Sequence, residues 1–150
     1  MEASKKAREA SNFEEHLKRE KAALEEINKG GKNRSRNLID NTDEIAKDIR
    51  NINKKYSNGF EQNNSIDSII NSASYYNDTW EQTSAVTRSI ADHAFENGNK
   101  RTAFDTLNML LDEFNLKSPL NDTQKWDLIE KLGRKEITDV SKIANILKGK

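Results

Sequence analysis

An all-α fold follows from three features of the chain. Apolar residues recur at helical spacing along most of its length, several of these runs are preceded by Ser, Asp or Asn where a helix would be capped, and alternating apolar and polar stretches are nearly absent. A chain of 150 residues suits one compact domain with an appendage. Hydrophobic and charged residues each make up 33% of it. That is lean against the roughly 45–50% apolar content of an average soluble domain, so part of the chain is expected to pack weakly.

The first helical pattern runs through Phe13, Leu17, Leu24 and Ile27, a narrow apolar seam among Glu and Lys that Gly30-Gly31 stops. Residues 32–37 form a basic, polar connector. A second pattern through Leu38, Ile39, Ile45, Ile49 and Ile52 fades at Ser57-Asn58-Gly59, which reads as a loop because its flanks do not alternate. Residues 1–55 are therefore expected to be a helical extension or linker, and residues 56–150 the domain proper.

The domain is better patterned. Ile66, Ile69, Ile70 and Ala73 mark a short helix that Ser65 or its neighbours can cap. Asp78 starts another, carrying Trp80, Thr83, Val86, Thr87 and Ile90 inward and ending near His93. Ala103, Phe104, Leu107, Leu110, Leu111 and Phe114 then form the broad apolar face of a central helix. Ser118-Pro119 breaks it, and Asn121 with Gln124 forms a capping-box pattern for a helix lined by Trp126, Ile129 and Leu132, with Gly133 as its left-handed end. A last helix starts at Thr138 or Asp139 and buries Val140, Ile143, Ile146 and Leu147.

Composition excludes several classes. Formal net charge is zero, which removes the general electrostatic case for a nucleic-acid or anionic-membrane partner. With no cysteine and two histidines, neither a disulfide framework nor a thiolate or His-rich metal cage can form. No apolar run approaches the length of a membrane span, and the first residues lack the apolar core of a secretory signal.

Chemistry concentrates in His93-Ala94-Phe95-Glu96-Asn97-Gly98-Asn99-Lys100-Arg101. A helix opening at Lys100 or Arg101 would aim unpaired backbone N–H groups, backed by the macrodipole, out of the turn, where an anion binds. Gly98 permits positive φ and close approach, and Asn99 can offer an amide to a phosphate. Lys100 adds a point charge and Arg101 a planar fork suited to two phosphate oxygens. His93 is close enough in sequence for its imidazole, with a reference pKa of about 6.5, to take a proton from an attacking hydroxyl. The structural alternative is that His93 merely ends a helix, Asn-Gly is an ordinary boundary, and Phe95 anchors the loop.

In this order, His93, Phe95, Gly98, Asn99, Lys100 and Arg101 resemble the signature of the Fic/Doc family, and the resemblance extends over about residues 57–150. It implies a helical enzyme that moves part of ATP onto a protein hydroxyl. Lys100 stands where most Fic enzymes carry Gly, and Phe104 where many carry a second Arg, so the chain is similar to the Doc branch. That branch implies transfer of the γ-phosphate to a Ser or Thr of a host protein, a translation factor among them. The resemblance implies His93 as base, Gly98 and Asn99 as anion cradle, and Lys100 and Arg101 as phosphate ligands and charge stabilisers. The acidic position expected to hold Mg²⁺ is Asn97, which offers one neutral oxygen. An inhibitory Ser/Thr-x-x-x-Glu-Gly/Asn motif, present in some Fic proteins, is matched only in part by Ser11 to Glu15, because His16 follows. The implied protein is then a toxin without a built-in brake, controlled by a separate antitoxin or immunity protein and acting in the cytoplasm of the producing cell or of a target cell. Fic-type AMP transfer and a catalytically degenerate interaction module are the alternatives. The charged N-terminal segment also suits a connection to a larger secreted polypeptide.

Overall fold

The computed structural model describes residues 36–62 and 64–150. The expected helix through Phe13 and Ile27, its Gly30-Gly31 stop, the first part of the basic connector and the partial inhibitory motif lie outside the described residues. Among the described residues the protein is all-α, with helices α1 (Thr42–Lys54), α2 (Ile66–Ala73), α3 (Thr79–Ala91), α4 (Asn99–Glu113), α5 (Asp122–Gly133) and α6 (Val140–Leu147).

The described residues, from Arg36 onward, form one compact unit that includes α1. Ile45, Ala46 and Ile49 of this helix are buried together with Leu38, and its contacts are with α2 and α4. Leu38 and Ile39 precede the helix rather than belonging to it, and Ile39 is exposed. The start of the unit is fastened by Arg36, whose backbone N–H and Nε both donate to the buried carboxylate of Glu113, at 3.1 and 2.6 Å. Its Nη2 forms an ion pair with Asp48 at 2.9 Å. Burial works against the charge on Arg36, but the bonds to Glu113 and Asp48 outweigh it and raise its pKa.

Several N-termini form as their residues dictate. Ser65 accepts from Ser68 N–H, Asp78 from Glu81 N–H and Asp139 from Ser141 N–H, while Asn121 and Gln124 close a reciprocal capping box. The left-handed end of α5 is Lys135 (φ 59°), not Gly133, which remains helical. Lys135 N–H bonds Leu132 C=O and Glu136 N–H bonds Lys131 C=O, a Schellman closure that needs its left-handed residue two positions later than expected.

The hub is α3, which packs against α2, α4, α5 and α6, whereas α4, expected to be central, contacts α1, α3 and α5. The buried face of α3 includes Thr83, Ser84, Ala85 and Thr87, small side chains that let four neighbours approach. Ser84 and Thr87 satisfy their hydroxyls on the carbonyls of Trp80 and Thr83, both at 2.7 Å. On α4, Phe104, Leu107 and Leu110 are fully buried, and Phe104 meets Trp126 of α5 edge-on with centroids 5.7 Å apart.

Candidate functional site

The motif turn begins where α3 stops. After Ala91 and the cap residue Asp92, His93 adopts a left-handed backbone with φ 63°, a region that His enters more readily than most residues. The chain then straightens beside the segment that follows α1. Gln62 N–H donates to Ala94 C=O at 2.8 Å and Glu96 N–H to Phe60 C=O at 3.0 Å, a single antiparallel bridge centred on Glu61 and Phe95. Phe95 is fully buried and anchors the loop, while His93 is exposed.

The carboxamide of Asn99 closes the turn on itself. Its Oδ1 accepts from Phe95 N–H and its Nδ2 donates to Phe95 C=O, both at 2.8 Å. Expected to offer its amide to a phosphate, Asn99 is buried and commits that amide to the loop backbone. Gly98 adopts φ 72° as the N-cap of α4. The positive φ calls for glycine, and a Cβ there would press on both neighbours, 3.2 Å from Tyr56 Cβ and 3.3 Å from Asn53 Nδ2.

Asn53, at the end of α1, ties the turn together. Its Nδ2 donates to Asn97 C=O at 2.9 Å and to Thr102 Oγ1 at 3.1 Å, and its Oδ1 accepts from Gly59 N–H at 3.0 Å. Thr102 Oγ1 in turn donates to Gly98 C=O at 2.7 Å. One turn earlier, Arg50 holds Glu61 at 2.7 Å and also pairs with Asp67 of α2. The Asp67 bond is the largest cause of a raised Arg50 pKa. Sequence reasoning missed Asn53, yet its place was legible: it follows Ile45 and Ile49 at steps of four, a polar residue on a buried stripe.

Helix α4 starts at Asn99, slightly earlier than expected, and its N-cap makes no side-chain hydrogen bond. The N–H groups of Asn99, Lys100 and Arg101 precede the first intrahelical bond, Thr102 N–H to Gly98 C=O at 3.0 Å. Lys100 and Arg101 are both exposed and leave the helix in different directions. The Lys100 stem runs past Gly133, its Cε 3.5 Å from where a Gly133 Cβ would be. The Arg101 guanidinium lies over the ring of Tyr56, 5.7 Å from its centroid, and the Tyr56 hydroxyl donates to Asp105 at 2.5 Å.

Around the turn the protein offers few oxygen donors for the Mg²⁺ expected at Asn97. Asn97 is exposed, with its backbone carbonyl accepting from Asn53 and its side chain carrying one neutral oxygen, Glu96 contributes one exposed carboxylate that accepts from Asn58 at 3.4 Å, and no cluster of three acidic, His or Cys residues occurs among the described residues. Mg²⁺ commonly keeps several waters and takes its remaining oxygens from one or two carboxylates and from substrate phosphates. No family model, curated protein or solved structure matches the chain. The Fic/Doc resemblance therefore rests on the motif.

Proposed function

We propose that the turn between α3 and α4 binds the phosphates of ATP and that the chain is a Doc-like toxin, transferring the γ-phosphate to a Ser or Thr hydroxyl of a host protein. One observation carries the phosphate site. Helices α1, α2, α3 and α5 each place an acid in the first turn and α6, which has none there, is capped by Asp139, whereas α4 has neither an acid in its first turn nor a side-chain cap and carries Lys100 and Arg101. Cations at the positive end of a helix dipole are unfavourable by about 0.3–1 kcal/mol each. A bound polyphosphate reverses that sign.

In this reading His93 takes the proton from the target hydroxyl as its oxygen bonds to the γ-phosphorus. The bond from that phosphorus to the β–γ bridging oxygen breaks, and ADP leaves. The α4 amides, Lys100 and Arg101 stabilise the charge that shifts onto phosphate oxygens, where most of the catalysis of phosphoryl transfer resides. The side chain of Asn99 contributes by holding the loop rather than the ligand. Any Mg²⁺ arrives with the nucleotide, and no step depends on a protein-bound metal. Substrate, antitoxin or immunity protein, and action in a cytoplasm rest on the resemblance; no helix among the described residues is long and apolar enough to cross a membrane.

Incubating the chain with a lysate and either γ- or α-labelled ATP tests the reading. Protein labelled from the γ position, lost in His93→Ala, is the expected outcome. Label from the α position identifies AMP transfer instead. Undiminished transfer by His93→Ala contradicts the mechanism. The second reading, a helical interaction module that binds a partner without chemistry, is favoured by Asn97 at the acidic position and by the committed amide of Asn99. It requires that ATP affinity be absent, or indifferent to Mg²⁺.

A further inference from the structure

We infer that Tyr56, outside the motif, is a positioning residue that aims Arg101, and that Asp105 fixes Tyr56 for this purpose; the inference rests on the phosphate-binding reading above. Three contacts converge on this side chain. Its hydroxyl donates to Asp105 at 2.5 Å, its ring lies under the Arg101 guanidinium at 5.7 Å, and its Cβ is 3.2 Å from where a Gly98 Cβ would be. Asp105 is 8% exposed and sits one helical turn after Arg101 on α4, so the carboxylate that orients the ring and the cation that rests on it share a rigid element. Tyr56 N–H bonds Asn53 C=O at 2.9 Å, which anchors the residue to the end of α1.

The chemistry explains why a tyrosine suits this place. An exposed arginine side chain loses much rotamer freedom when it grips an anion, and a preset orientation reduces that loss. An aromatic face attracts the guanidinium plane without consuming its N–H donors, which stay available for phosphate oxygens. A carboxylate gripping Arg101 directly would occupy those donors and neutralise the charge. The hydroxyl bond to Asp105 engages one carboxylate oxygen and ties the far end of the ring to α4.

Two measurements on the full chain test this, with inorganic tripolyphosphate as the probe. In the free protein, NMR relaxation of the Arg101 Nε–H should report a restricted side chain, mobile in Tyr56→Leu and restricted again in Tyr56→Trp. Tripolyphosphate affinity should fall roughly two- to fivefold in Tyr56→Leu, the size of an exposed cation–π contact. Arg101→Gln should weaken it further, and adding Tyr56→Leu to Arg101→Gln should then cost nothing more. Tyr56→Phe keeps the ring but loses the Asp105 bond, so its affinity should fall between the two. Unchanged Arg101 mobility in both Tyr56→Leu and Tyr56→Phe, or effects of Tyr56→Leu and Arg101→Gln that simply multiply, overturns the positioning role while leaving the phosphate site intact. Failure of the unaltered chain to bind tripolyphosphate overturns both.

Discussion

The carboxamide of Asn99 answers both backbone polar groups of Phe95, the most deeply buried point of a loop that has no strand beside it on that side. Removing it would strand a buried donor and a buried acceptor at about 1–3 kcal/mol each. Asn99→Ala should therefore lower stability by roughly 2–4 kcal/mol in urea unfolding and strip the Phe95 amide of its exchange protection. A loss below about 0.5 kcal/mol would mean that water replaces the clamp. His93 illustrates the limit of reading single residues. Its left-handed backbone parallels Asn115, Lys135 and Gly149, which end α4, α5 and α6, so geometry alone makes it a helix-ending residue. Only its neighbours Gly98, Lys100 and Arg101 make it a base candidate.

At the level of elements, α1 acts as the brace of the site. Asn53 reaches Asn97, Thr102 and Gly59, and Arg50 holds Glu61, whose segment pairs with the motif loop. The opposite end of the brace is fastened to α4 by Arg36 and Glu113, whose side chains are 17% and 2% exposed. Breaking a mostly buried pair leaves a charge unpaired, so Arg36→Gln should destabilise by about 3 kcal/mol. The pKa of Arg36 is raised on folding. Its stabilising contribution is thus complete below the ordinary arginine value and lost only as pH climbs through the raised one. The coupling of Arg36→Gln with Glu113→Gln, measured by chemical unfolding, should be the same at about pH 7 and pH 10. A marked fall by the higher pH would show that Arg36 is not the charge involved.

For the molecule as a whole, the all-α class, Phe95 as anchor, Gly98 at positive φ and the caps at Ser65, Asp78, Asn121 and Asp139 were legible because each depends on residues within a turn or two of one another. The contribution of α1, the hub role of α3 and the commitment of Asn99 were not. Each depends on contacts distant in sequence: Thr83 and Thr87 were legible as inward-facing on α3, but not the number of helices that pack on them. Because α1 supplies core residues, a fragment of residues 35–150 should melt cooperatively, whereas residues 56–150 should lack a cooperative transition by circular dichroism. Equal melting of the two would remove the brace from the account. In the proposed function the start of α4 receives phosphate. Titrating the isotopically labelled chain with ATP and following backbone amides by NMR tests it most directly. Saturable shifts largest at Asn99, Lys100 and Arg101, abolished by neutralising both cations, are predicted; no binding, or shifts centred on another surface, would contradict it.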